Sequence, residues 1–159
     1  MADWQQVDGG VTAPKGFKAA GITAGLKPSG APDLALILSD TDAIAAGVFT
    51  VSQVRAACVD YCRDRLEAKT SARAILCNAG QANACTGNQG WQDAVDSANA
   101  LAQALNLSTD RVLIASTGVI GQRIKMDALK AGIPGLVDAL SDTGSDAAAQ
   151  AIVTSDLVP

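Results

Sequence analysis

Two stretches of this chain share one layout, and that repetition limits the fold more than any other feature. Arg73-Ala74-Ile75-Leu76-Cys77 is a short apolar run that passes into a long polar loop, Asn78 to Asn88. Beyond it Trp91, Ala94, Val95, Ala98, Leu101, Ala102 and Leu105 recur at near-helical spacing. Arg111-Val112-Leu113-Ile114-Ala115 passes in the same way through Ser116-Thr117-Gly118-Val119-Ile120-Gly121 into the helix-prone Gln122 to Leu129. A short apolar run bounded by turn residues reads as a buried strand, and i, i+3, i+4 spacing reads as a helix with one apolar face. Two strand, loop and helix units in succession predict an α/β fold with helices covering a sheet. If the two strands are parallel neighbours, their loops leave the same edge of the sheet. Asn78, Asn83, Thr86, Thr117 and Gly118 then converge on one site. Each asparagine also has an ordinary turn role, in which its side chain bonds nearby backbone.

The segment Ser116 to Gly121 reads as a strand-to-helix turn. Two glycines beside hydroxyls leave backbone N–H groups free to hold an anion or a developing oxyanion. The alternative is that the glycines only close a tight connection. Upstream, Gly9 to Gly30 is too glycine-dense for a helix, and part of it is expected to line a ligand cleft. Asp33 to Ser39 and Ala45 to Thr50 read as a β-hairpin joined through Asp40 to Ile44. Ser52 reads as the N-cap of a helix through about Leu66, which puts Cys58 and Cys62 on the core stripe. Downstream, Lys125 to Lys130 reads as a short helix ending near Gly132, because Pro134 discourages its continuation. A helical turn is expected around Leu136 to Leu140, and then a helix from Asp146 to about Val153 capped by Ser145. The final run, Thr154 to Pro159, reads more like the middle of a domain than its edge.

With 159 residues, 48% hydrophobic and only 3% aromatic, the chain fits a single domain, residues 1–159, whose core is packed from small and branched side chains. A net charge of −4 supplies no basic face for nucleic acid, and no apolar run is long enough for a membrane span. Without the marks of a signal peptide, the expected location is the cytoplasm. Cys58, Cys62, Cys77 and Cys85 lack the paired spacing of a zinc site and are expected to be buried thiols, with no metal bound. Histidine is absent. That removes Ser-His-Asp and Cys-His catalysis, so any nucleophile has an unconventional base or lies outside the chain.

Four motifs, spaced through the chain in order, carry a resemblance. Gly9-Gly10-Val11-Thr12-Ala13-Pro14-Lys15-Gly16-Phe17, the Asn78 to Gly87 loop, Ser116 to Gly121 and Ala151-Ile152-Val153-Thr154-Ser155-Asp156 together resemble the α chain of the ornithine acetyltransferase, or glutamate N-acetyltransferase, family. The resemblance implies a sandwich of β-sheets flanked by helices, completed by a separate β chain cut from the same precursor, with the pairs assembled as an α2β2 heterotetramer. It implies that the β chain's new N-terminal threonine is the nucleophile, and that an acetyl group passes from N-acetylornithine to glutamate in arginine biosynthesis. Some members also accept acetyl-CoA; no cofactor is implied. An N-terminal threonine uses its own α-amino group as base, which agrees with the missing histidine. By the same resemblance Thr117 and Gly118 form the oxyanion hole. The substrate-binding threonine maps to Thr154, with Ser155 standing where the family has a second threonine. Family α chains continue past this motif to a glycine-rich segment with a substrate-binding lysine, so the C-terminal part of an α chain is expected to be missing here. A competing reading is a non-catalytic subunit that completes an acyl or anion cleft.

Overall fold

A computed structural model describes residues 4–156. Its strands are β1 (Phe17–Ile22), β2 (Leu34–Ile44), β3 (Ser71–Gln81) and β4 (Val112–Val119), and its helices are α1 (Ala57–Ala68), α2 (Gly87–Ala104), α3 (Met126–Asp138) and α4 (Ser145–Ile152). The strands lie side by side in chain order as one sheet. β1 with β2 and β2 with β3 are antiparallel, while β3 and β4 are parallel. The parallel pair joins the two repeated units and meets the condition under which their loops leave one edge, with α2 as the crossover that returns the chain.

Strand alternation sorts the side chains to two faces. Leu34, Leu36, Leu76, Val112 and Ile114 point to one face and are buried with Cys58, Tyr61, Leu101, Leu129, Ile133 and Leu136 from α1, α2 and α3. On the other face α4 packs Ala148 and Ala151 against Ala19 and Ala35. That approach is close enough that a β-carbon at Gly21 would collide with the Ala147 carbonyl. Away from α4 this face is more open: Ala115 is exposed, and Ile75 retains 36% of its surface. The α/β layering is the expected one, and among the described residues the sheet is single.

Several boundaries differ from the sequence reading. The hairpin is absent. Leu34 to Ile44 is one continuous strand, and Ala45 to Thr50 is outside any strand. The polar Asp40-Thr41-Asp42 passes through a register shift rather than a turn. It is held from outside: the Arg73 guanidinium donates to the Ser39 and Asp40 carbonyls, and Asp42 pairs with Arg111. Helix α1 starts at Ala57, not after Ser52. The Ser52 hydroxyl closes a local turn, accepting from the Val54 N–H at 3.3 Å, and Val54 is exposed. Cys58 and Cys62 are buried as expected, but Cys85 is exposed and Cys77 only partly covered.

β3 runs on through Asn78 to Gln81, which the sequence reading placed in a loop. Helix α3 begins at Met126 and continues through Gly132 and Pro134 to Asp138. Proline costs one backbone hydrogen bond there, but Ile133 and Leu136 on either side of it are buried, and that packing outweighs the loss. Gly144, not Ser145, precedes α4; the Ser145 hydroxyl instead accepts the Val11 N–H at 3.1 Å. Of the final run, Thr154 to Asp156 lie just beyond α4, and residues 157–159 fall outside the described residues.

Candidate functional site

Thr117 and Gly118 are in β4, not in a turn before a helix. They pair in register with Ala79 and Gly80 of β3, and α3 begins only at Met126. The glycines are needed for a different reason than turn geometry. Gly118 has φ +127° and Gly80 φ +122°, values that residues with a side chain rarely adopt. A β-carbon on Gly118 would stand 2.5 Å from the Gly80 carbonyl oxygen and 2.8 Å from the Gln81 nitrogen. One on Gly80 would stand 3.2 Å from the Leu26 carbonyl oxygen. Three stretches of bare backbone, at Leu26, Gly80 and Gly118, are therefore stacked against one another, and any side chain between them would hold them apart.

The free donors here also have a different origin. β4 is an edge strand, so alternate N–H groups along it have no ladder partner on the side away from β3. The opposite edge is covered, because Ala19 of β1 exchanges two backbone hydrogen bonds with Ser141, at 2.9 and 3.0 Å. Among the described residues no comparable bridge covers β4. Beyond the strand the β3–β4 alignment persists through Ala82 N–H to the Val119 carbonyl at 3.0 Å and Gly121 N–H to the Ala84 carbonyl at 2.8 Å.

Polar side chains behind the pair hold it in place. The Ser116 hydroxyl donates to Asn78 Oδ1 at 2.7 Å, and Asn78 Nδ2 donates to the Gln81 carbonyl at 2.9 Å. Gln81 Nε2 donates to the Leu26 carbonyl at 3.0 Å. Asn78 and Gln81 are both buried, so the bonds tie β4, β3 and the Leu26 segment together where water does not compete. On the helix side Arg123 grips the buried carboxylate of Asp93 with two bonds, 3.0 and 2.8 Å, which anchors the segment after β4 to α2. That carboxylate holds the Arg123 guanidinium above its ordinary value.

A cavity of about 540 Å³ opens beside this construction, lined by Lys27, Pro28, Ser29, Gly80, Gly118, Val119, Thr154 and Ser155. It joins Gly118 to both hydroxyl residues that the sequence placed at the substrate. Both are exposed, and the Thr154 N–H lies 3.4 Å from the Asp156 carboxylate in a turn just after α4. Asn83 and Thr86 do not converge with them. They line a second cavity of about 310 Å³ with Arg55, Asp60, Cys85 and Trp91. There Asn83 is fully committed, donating to the Gly90 carbonyl and accepting from the Thr86 hydroxyl, each at 2.8 Å. Asn78 lies beneath the first site rather than in it.

Sequence reasoning missed Gly80 and Lys27. Gly80 had a visible signal, as a lone glycine inside Asn78 to Gln81, but its meaning depends on the residue across the ladder. Lys27 lies in the glycine-dense stretch that was expected to line a cleft, and that expectation agrees with the cavity wall. Its loop is rigid: both oxygens of the buried Asp33 carboxylate are used, accepting the Ala24 N–H at 2.6 Å and the Lys27 N–H at 2.8 Å. Two of the thiols are disfavoured as nucleophiles, since burial pushes Cys77 up to about 11 and also raises Cys62.

Comparison with known proteins gives a consistent result. The profile described as the ArgJ family matches residues 18–159. The chain is 73% identical over 158 residues to arginine biosynthesis bifunctional protein ArgJ 1 of a Nostoc species, a match covering 99% of this chain and 38% of that protein. It is 71% identical over 159 residues to the ArgJ protein of a Synechocystis species, again covering 38% of the relative. The chain thus spans about 38% of the length of these relatives. Among solved structures it superposes on ornithine acetyltransferase from Mycobacterium tuberculosis, crystallised with ornithine, with a TM-score of 0.91 at 46% identity, covering 94% of this chain and 81% of that one.

Proposed function

Since the chain belongs to the ArgJ family, we propose that it forms the α part of a glutamate N-acetyltransferase that takes its acetyl group from N-acetylornithine. The observation that carries the reading is the cavity bringing Gly118, on an edge strand with free N–H donors, together with Thr154 and Ser155. In the proposed reaction a threonine hydroxyl from the β chain attacks the acetyl carbonyl of N-acetylornithine. Its α-amino group takes the hydroxyl proton and passes it to the departing ornithine nitrogen. The acetyl-threonine is then attacked by the amino group of glutamate, and the same base returns the proton to threonine.

In both halves the carbonyl oxygen becomes negative, and Thr117 and Gly118 supply donors where that charge develops. Fixed donors of this kind are worth about 2.7–4 kcal/mol each, because no reorganisation is needed as the charge appears. The stacked glycine backbones at Gly80 and Gly118 supply that rigidity. Thr154 contacts substrate in the same cavity, with Ser155 lining it alongside. No cofactor enters the scheme, and acetyl-CoA is the alternative donor that the assay below tests. The working form is an α2β2 assembly in the cytoplasm.

The test is an assay of the full-length protein with N-acetylornithine plus glutamate and, separately, acetyl-CoA plus glutamate. Turnover with the first pair is expected, and turnover with the second adds the ability to start the pathway. Inactivity with both pairs in a correctly cut protein would favour a non-catalytic subunit.

A further inference from the structure

We propose that Asn78 is a positioning residue for the acyl transfer: its one side-chain amide holds the bend of β3 at Gly80 and the place of Ser116 together, and through them aims the Thr117 and Gly118 donors. The proposal rests on the acyl-transfer reading of the Gly118 cavity and names the buried group that gives that reading its geometry.

Asn78 stands where β3 loses a neighbour. β2 begins at Leu34, opposite Asn78, and past this pair the β2 side contributes only the Asp33 carbonyl, which accepts the Ala79 N–H at 2.8 Å. Just beyond, Gly80 has φ +122°. Ala79 and Gly80 are also the register partners of Thr117 and Gly118, so any slack in the bend is passed across the ladder to the donors. The Asn78 amide spans that bend, with Nδ2 donating to the Gln81 carbonyl three residues ahead at 2.9 Å. Its other end takes the Ser116 hydroxyl at 2.7 Å, across the ladder from its own register partner and next to Thr117.

The two bonds share one rigid plane. Oδ1 and Nδ2 cannot move independently, so the Gly80 bend and Ser116 are fixed relative to each other by a single group. Only an amide offers an acceptor and a donor in that form: an ionised carboxylate accepts but cannot donate, and an apolar side chain does neither. Asn78 is 3% exposed, so water does not substitute for either bond. Asn78 does not line the Gly118 cavity. It therefore acts on how well the donors meet the charge that develops during the reaction, not on how tightly the substrate is held before it.

The test follows acetyl loading of the cut, full-length protein from N-acetylornithine by intact mass. Donor concentration is varied so that the saturating rate, the half-saturating concentration and the fraction of molecules loaded are read separately. Asn78→Leu keeps the bulk of the side chain and neither polar atom. It is expected to lower the saturating rate by about tenfold or more, with the other two quantities within about twofold of wild type. A merely less stable protein would instead load fewer molecules at the wild-type rate, and that result overturns the proposal. A wild-type rate does the same, as does a change confined to the half-saturating concentration. Ser116→Ala, which removes only the hydroxyl bond, is expected to slow loading by about threefold or more and to add nothing when combined with Asn78→Leu, because the bond is then already gone. Losses that multiply in the double variant overturn the shared role of the amide. Should Asn78→Leu fail to fold or to be cut, Ser116→Ala decides alone, and a wild-type rate there overturns the proposal. If the wild-type protein is not loaded, the acyl-transfer reading itself is refuted; loading of the wild type with no slowing in the variants refutes only the role of Asn78.

Discussion

Replacing Gly118 by alanine is the sharpest test of how the site is built. The new methyl group would stand 2.5 Å from the Gly80 carbonyl oxygen, and the backbone of residue 118 is at φ +127°. The conformational strain costs about 1–3 kcal/mol and the overlap with rigid backbone about as much again, so a loss of roughly 2–6 kcal/mol is expected. Neither neighbour yields cheaply, because Gly80 is itself pressed against Leu26 and tied through Asn78 and Gln81. Native-state hydrogen exchange on the full-length protein reads the effect where it occurs. Amides of β3 and β4 are expected to lose protection by about 30-fold or more, while α4 amides change less. Gly135→Ala is the internal control with opposite sign. Gly135 lies exposed inside α3 with nothing within 4 Å of a β-carbon, so alanine there is expected to stabilise by about 0.8–1.0 kcal/mol. Unchanged β3–β4 protection in Gly118→Ala would refute the view that bare backbone at this position holds the two strands together.

Three other outcomes follow from the same arrangement. Thr117→Ala in the full-length protein is expected to leave assembly intact and lower acetyl transfer by about 10²-fold or more, as steady-state kinetics would measure; near-normal turnover would remove Thr117 from the oxyanion site. Iodoacetamide at pH 8 is expected to label the exposed Cys85 first and to spare Cys77, whose burial pushes its thiol up to about 11, and peptide mapping showing the reverse order would contradict the burial pattern. The hydrogen bond from Lys69 pulls Asp110 down to about 2, so its contribution to stability is complete above about pH 4 and is lost as pH falls toward 2. Lys69→Met is accordingly expected to flatten the acid limb of a urea-midpoint profile, with only a modest amplitude because the carboxylate is about a third exposed. An identical acid limb in the variant would rule the pair out as its source.

How much was legible in the sequence depended on the kind of signal. The two strand and helix units are periodic patterns, and β3, α2 and β4 lie where the patterns put them, while the parallel pairing of the two strands came from the structure. Ends were harder, because glycine and proline are ambiguous without their neighbours. Gly118 looked like a turn residue; it is a strand residue whose missing side chain makes room for Gly80, and no local pattern shows which glycine faces which. Pro134 looked like a stop, yet burial of Ile133 and Leu136 carries α3 past it. Asp40-Thr41-Asp42 looked like a turn until Arg73 and Arg111, 30 or more positions away, held it extended. Of the residues named from their motifs, Gly118, Thr154 and Ser155 line one cavity, Thr117 is beside Gly118 in β4 but is not among that cavity's lining residues, and Asn83 and Thr86 belong to a neighbouring cavity. Lys27 was invisible because a surface lysine and a cavity lysine look the same in a sequence.

The parallel pairing of β3 and β4 has a consequence for how the protein comes into being. β1, β2 and β3 pair antiparallel in chain order, but β4 meets β3 only after the chain has closed a crossover that separates Asn78 from Ser116 by 38 positions. Closing a loop of that length costs about 3 kcal/mol in chain entropy before any contact compensates it. Gly80 and Gly118 contribute from opposite sides of that crossover, so a partly folded chain holds the antiparallel strands but not the site. We therefore expect pulse-labelled refolding to protect β1 and β2 amides before those of β4, and simultaneous protection would contradict it. In that order of events the close stacking of Gly80 on Gly118 is among the last features to appear, and its presence certifies that folding is complete.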